Sequence, residues 1–224
     1  MNFELHNNVA TLTFDDGKAN AVGHTFLDSM TAGLDRAQEE QVSAVIIRGR
    51  EGMFSGGFDL GEFKKGPEAG LTMVTRGFEL LIRLYSFPLP LIAACTGHCV
   101  AMGAFITMTC DTRIGCRGDF KLRLPETAIG MELPPILVEL TASRISRQHM
   151  TRVALQAEIY NPEEAVEAGF LDEVVDPAEL QARAQEVAEQ LAQLPQGQYG
   201  INKLSIRQHT LVAMKNSLAE VSKR

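Results

Sequence analysis

Tryptophan is absent from this chain, aromatic residues make up only 6% of it, and basic residues are outnumbered by acidic ones, 21 against 28. The formal net charge of −7 leaves no basic stripe to neutralise phosphates, which argues against a nucleic-acid partner. A small anionic ligand held locally stays compatible with that charge. No run of about 18 uninterrupted apolar residues occurs, so no membrane span is expected. The first residues, Met1-Asn2-Phe3-Glu4-Leu5, lack the positive stretch and apolar run of a secretory signal. These absences predict a soluble cytoplasmic protein. Only four cysteines occur, Cys95, Cys99, Cys110 and Cys116, without the paired spacing of a zinc site. They read as buried free thiols packing as small hydrophobes. Five histidines, His6, His24, His98, His149 and His209, show neither metal-ligand spacing nor a nucleophile beside them, and no metal is expected.

What is present is 224 residues, 45% hydrophobic, enough for a substantial core in one main domain. Alternation at Ala10, Leu12 and Phe14, with Phe3 and Leu5 ahead of the pair Asn7-Asn8, predicts an opening β-hairpin. Leu27, Met30, Leu34 and Ala37 recur at helical spacing and lead to a short strand, Ala44 to Ile47. A helix around Leu71, Val74, Phe78 and Leu81, a strand over Leu91 to Ala94 and an apolar segment from Ala101 to Thr109 continue the alternation. Strands near Thr112 to Gly115 and Phe120 to Leu124 precede helical segments at about 134 to 156. Asn161-Pro162 and Gly169 mark the start and stop of a further helix, and Asp176-Pro177 repeats the start signal for one reaching about Leu194. Beyond the break at Pro195 an amphipathic pattern runs through Ile201, Leu204, Leu211, Met214 and Leu218. No sequence repeat is visible, and the division expected is a core over 1–195 with a helical tail over 196–224.

Two strings carry chemical interest. Phe54-Ser55-Gly56-Gly57-Phe58-Asp59-Leu60 follows a buried strand, and adjacent glycines let the backbone turn sharply and approach a ligand. By itself that string is compatible with a plain turn. Thr96-Gly97-His98-Cys99-Val100-Ala101-Met102-Gly103-Ala104 leads from a strand into the apolar segment ending at Cys110-Asp111. If that segment is a helix, its first N–H groups form a positive pole suited to a developing anion. A buried core helix explains the same residues. Asp59 reads as a loop-holding acid, His98 as a packed or backbone-bonded imidazole, and His24 with Asp28 as an i,i+4 surface pair.

Taken together with Lys18-Ala19-Asn20-Ala21-Val22, Leu124-Pro125-Glu126-Thr127-Ala128-Ile129-Gly130 and the segment from Asn161 to Val175, these strings resemble the crotonase (enoyl-CoA hydratase/isomerase) superfamily, in order and over nearly the whole chain. The resemblance implies an α/β fold, a spiral of ββα units with a C-terminal helical region, assembled as a homotrimer or dimer of trimers with the tail at a subunit interface. It implies an acyl-CoA thioester as substrate or ligand and no separate cofactor. Carried over by position, the oxyanion hole would be the backbone N–H groups of Phe58 and Met102. Lys18, Ala19, Ser55, Gly57 and Leu60 would line the CoA groove.

The carboxylates then bear on the reaction. Hydratases of this family use two glutamates, and the first of those positions, three residues after Met102, holds Phe105, which can neither accept nor donate a proton. The second is retained as Glu126. A single carboxylate facing an enolate can take a proton from one carbon and return it to another, the logic of enoyl-CoA isomerisation. Glu132 is a second candidate acid, through which hydration would run instead. A non-catalytic acyl-CoA binder is the third reading, with the ring of Phe105 filling the space water would need.

Overall fold

The computed structural model describes residues 1–221. The chain opens with the hairpin β1 (Asn2–His6) and β2 (Val9–Thr13), whose two-residue loop places Asn7 at φ 48° and Asn8 at φ 60°, the paired positive φ of a type I′ turn. Helix α1 (His24–Glu39) buries Phe26, Leu27, Met30, Leu34 and Ala37 and returns the chain to β3 (Ala44–Arg48). From there a unit recurs. β3 is followed by β4 (Gly52–Ser55), the short α2 (Leu60–Phe63) and α3 (Pro67–Tyr85), and β5 (Leu91–Cys95) by β6 (Gly97–Val100) and α4 (Met102–Thr109). β7 (Thr112–Cys116) is followed by β8 (Leu122–Arg123) and α5 (Pro135–Ala142). The first strand of each unit joins a six-stranded sheet, order β1-β2-β3-β5-β7-β9, and the second joins a three-stranded parallel sheet, order β4-β6-β8. This is the ββα spiral that the resemblance implied.

The repeat is one of structure without repeated sequence, and two of the three small-sheet strands escaped the sequence reading, while β8 falls within the strand expected near Phe120 to Leu124. β4 and β6 have four residues each and contain Gly52 and Gly97, so they carry no alternating apolar pattern to detect. The large sheet shows its pattern clearly. Ala44, Ile46, Ile92, Ala94 and Ile114 face α8 (Leu180–Ala192) through Leu180, Ala184, Val187 and Ala188, while Val45, Ile47, Leu91 and Ala93 face the larger core on the other side. Strands buried on both faces are what parallel pairing with helices on either side demands.

After α5 come α6 (Met150–Ala154), α7 (Pro162–Ala168) and β9 (Glu173–Val175). Asn161 caps α7 and Gly169 closes it at φ 96°, as the sequence signals predicted, and Glu164 completes a reciprocal box with Asn161. The Asp176-Pro177 signal lies earlier than its helix, since α8 begins only at Leu180 and Asp176 receives the N–H of Glu179 in an intervening turn. The last helix, α9 (Gln196–Val221), packs against α3 and α5. His24 and Asp28 do not pair with each other; both meet the Arg76 guanidinium from α3. No described helix is long and apolar enough to cross a membrane.

Candidate active site

The first wall of the site is a loop fixed by polar groups. Asn20, 2% exposed and at φ 49°, donates to the carbonyls of Phe14, Met53 and Phe54, tying the Lys18–Val22 turn to β4. Burial opposes the ionisation of Asp16, but N–H donors from Ala21, Asn20 and Lys18 outweigh it and hold the carboxyl below its usual range. Ser55 completes this brace. Its hydroxyl donates to the carbonyl of Asn20 at 2.8 Å and accepts the N–H of Gly57 at 3.2 Å, so it is wholly buried and does not reach the groove assigned to it from sequence.

The brace aims the next residues. Val22 forms a parallel bridge with Phe58, in which Val22 donates to the carbonyl of Gly57 and Asp59 donates to the carbonyl of Val22. Successive groups on an extended chain point to opposite sides, so the N–H of Phe58 points away from the bridge, and it donates to no acceptor among the described residues. Asp59 accepts the N–H of Gly61 and caps α2, the loop-holding role expected of it. Gly57 sits at φ 102°, and a Cβ there would lie 2.9 Å from the Cβ of Ala101 and 3.5 Å from the backbone nitrogen of Met102. A glycine is needed on both counts.

Met102 opens α4, and its N–H also meets no acceptor among the described residues, as the first amide of a helix does by construction. The residue before it, Ala101, is held at φ 51° and ψ −123°. That is strained backbone for a residue with a Cβ, and such strain gathers at functional sites. The Met102 side chain is 1% exposed, packed among core residues. His98 accepts the N–H of Lys121 through Nδ1, the backbone-bonded role predicted.

Below these two amides lies a cavity of about 740 Å³, lined by Ala19, Gly57, Phe58, Leu60, Ala101 and Met102 on one side and by Glu126 and Glu132 on another. Glu126 follows β8 at the start of a 3₁₀ turn, Thr127–Ile129, and its carbonyl accepts the N–H of Met131. It is 6% exposed, and its Oε2 is buried with no hydrogen-bond partner among the described residues. Burial pushes its carboxyl up to about 6, against the pull of its own backbone N–H and of Arg123. That places it in the range where a base works near neutral pH. Phe105 lines the same cavity at 1% exposure, so the position of a second acid is filled by a ring. Glu132 is exposed at the rim.

The remaining sequence candidates separate. Ala19, Gly57 and Leu60 line the cavity, whereas Lys18 stands exposed outside its lining, its carbonyl taken by Arg50. The sequence reading missed most of the apolar wall. Leu71, Val74 and Phe78 were visible as one stripe of α3, but such spacing equally describes a helix packed on a core. All four cysteines are free and buried, as expected, and no described cluster of His, Cys, Asp and Glu could hold a metal ion.

Comparison with known proteins gives this geometry its setting. A family profile described as enoyl-CoA hydratase/isomerase matches residues 4–220. A crystal structure of an enoyl-CoA hydratase/isomerase family protein from Pseudomonas syringae superposes with a TM-score of 0.95 at 37% identity, covering 97% of this chain and 94% of that one. The apo structure of an enoyl-CoA isomerase from Mycobacterium tuberculosis gives 0.95 at 33% identity, covering 100% and 97%. A probable enoyl-CoA hydratase of Bacillus subtilis is 37% identical over 126 residues, a match spanning 55% of this chain and 48% of that protein. The names of these relatives divide between hydratase and isomerase.

Proposed function

Because this chain belongs to the enoyl-CoA hydratase/isomerase family, we propose that it isomerises a 3-enoyl-CoA to the 2-enoyl-CoA with Glu126 as its one acid/base. The observation that carries this reading is a solitary buried carboxylate: Glu126 faces an apolar cavity with Oε2 unpartnered, while Phe105 occupies the place of a second acid. Glu126 takes a proton from C2 of the bound thioester. The electron pair left on C2 delocalises into the adjoining carbonyl, placing charge on the thioester oxygen that the N–H groups of Phe58 and Met102 receive, and conjugates with the C3–C4 double bond to give a dienolate. The same carboxylic acid then gives its proton to C4, leaving the double bond between C2 and C3. Nothing is oxidised and no water enters.

Removing one general base typically lowers the rate by about 100- to 10,000-fold. Glu126→Gln is therefore expected to lose 3-enoyl-CoA turnover on that scale while still binding acyl-CoA, read by following the conjugated product. Unaltered turnover in that variant would remove Glu126 from the chemistry. Hydration through Glu132 is the competing reading, favoured by the position of Glu132 on the same cavity. A 3-hydroxyacyl-CoA formed from a 2-enoyl-CoA, and lost in Glu132→Gln, would select it. Tight binding without any turnover would select a non-catalytic binder. Family membership also supports a trimer-based assembly with residues 196–224 at the subunit interface, and a cytoplasmic setting.

A further inference from the structure

The cavity is larger and more apolar than one carboxylate and two amides require. Its rim is exposed, with Leu60 at 66%, Ile129 at 59% and Met131 at 43%, while its floor is closed by Phe78 and Phe105 at 2% and 1%. Between rim and floor, α3 contributes Leu71, Val74 and Phe78 from a single stripe, spaced by three and four residues. Leu137 of α5 and Val221 of α9 add to the same wall, so a slot runs among four helices, α3, α4, α5 and α9. Among the described residues that line it, Glu126 and Glu132 alone carry a polar side chain. A hydroxyl or carboxylate carried into the slot beyond them would lose its water and find no partner.

The volume bounds the occupant. At about 30 Å³ for a water-sized group, 740 Å³ holds about 25 non-hydrogen atoms, about half of them taken by the thioester and the part of the pantetheine arm next to it. We propose that the acyl group handled here is a wholly apolar tail of medium length, about eight to twelve carbons, laid along the Leu71–Val74–Phe78 stripe, with Val74 and Phe78 setting its limit. The inference rests on the reading of this cavity as an acyl-thioester site, and it is separable from the isomerisation step.

Saturated acyl-CoAs, which cannot isomerise, report on the slot alone. Their affinity, measured by calorimetry along a series from short to long tails, is expected to rise about fourfold per methylene until the slot fills near ten carbons, then level off. Val74→Phe adds about two carbons' worth of bulk to a half-buried wall position and is expected to move the plateau about two carbons shorter; Phe78→Leu is expected to move it longer. Should Phe78→Leu fail to fold, Val74→Phe carries the test. A tail ending in a hydroxyl is expected to bind about 100-fold more weakly than its apolar counterpart. A flat length dependence, a plateau unmoved by Val74→Phe, or equal binding of the hydroxylated tail would overturn the assignment even if 3-enoyl-CoA turns over. A length-dependent plateau without 3-enoyl-CoA turnover would sink the isomerase reading and leave the tail assignment standing.

Discussion

Asp111 and Glu126 are both carboxylates taken out of water, one at the end of α4 and one after β8, and the chain surrounds them in opposite ways. The Asp111 side chain, 11% exposed, accepts the N–H of Leu91 at 2.8 Å, Lys203 Nζ at 2.6 Å and Arg207 Nη2 at 2.7 Å. The same two cations of α9 reach on to the carbonyls of Leu89, Tyr85 and Thr109, near the carboxyl ends of α3 and α4. Burial lowers the Lys203 ammonium to about 8, the attraction of Asp111 notwithstanding. Glu126 has one unpartnered oxygen, a raised pKa and apolar neighbours. A buried acid saturated with donors holds structure; one left short of them keeps its affinity for a proton.

The comparison breaks first at Asp111. Asp111→Asn leaves Lys203 and Arg207 buried without their counter-charge, which is expected to lower stability by about 3 to 5 kcal/mol, read as the shift of the urea unfolding midpoint. Adding Lys203→Met should recover part of that loss, because one stranded charge goes with it. A single-variant loss below about 1 kcal/mol would mean that the cluster contributes little to holding α9 in place.

Glu126 should respond with the opposite sign. Its folded pKa, about 6, lies above the ordinary 4.5, so between these values the folded state binds more protons than the unfolded one, and stability falls as pH rises through that window. The shift corresponds to about 2 kcal/mol lost above pH 6. Glu126→Gln removes this pH-dependent loss. Denaturation of the two proteins side by side is expected to show the variant more stable by up to about 2 kcal/mol above pH 7, and the gap closing as pH falls toward 4.5. Wild-type kcat/KM should decline below about pH 6 as the base is protonated. A variant less stable than wild type at neutral pH would contradict the account of Glu126 as a desolvated, unpaired acid.

These two acids also show how far the sequence could be read. Glu126 and Phe105 were legible as positions that the family resemblance implies, because each stands at a fixed distance from a motif the chain carries, and the cavity brings them together. The Asp111–Lys203–Arg207 cluster joins residues about ninety positions apart, and no local pattern pairs them. The same limit applies to the hairpin at Asn7-Asn8 and the helix cap at Asn161, which are local and were found, and to β4 and β6, which become strands only through their partners in the small sheet. Ser55, expected along the CoA groove, turns into the brace instead for a related reason. Its place in the string was right, but which way a hydroxyl turns depends on Asn20, thirty-five residues earlier.

The smallest effect concerns the backbone that aims the second amide. Ala101 is clamped at φ 51° by its own N–H to Arg123 and by its carbonyl, which receives the N–H of Phe105. Such a conformation costs a residue with a Cβ about 1 to 3 kcal/mol, whereas glycine adopts it freely and gives back about 0.5 to 1 kcal/mol through its more flexible unfolded chain. Ala101→Gly is therefore expected to raise stability by about 1 kcal/mol in thermal or urea denaturation, with the Met102 amide left in place and turnover within about threefold of wild type. If glycine there lowered stability, the clamp would not be storing strain, and the helix start would owe its position to packing of the Ala101 methyl instead. A gain at 101 beside a loss at 111 would locate strain at the cavity and relaxed, donor-rich bonding at the α9 anchor, which is the division that a base kept short of partners requires.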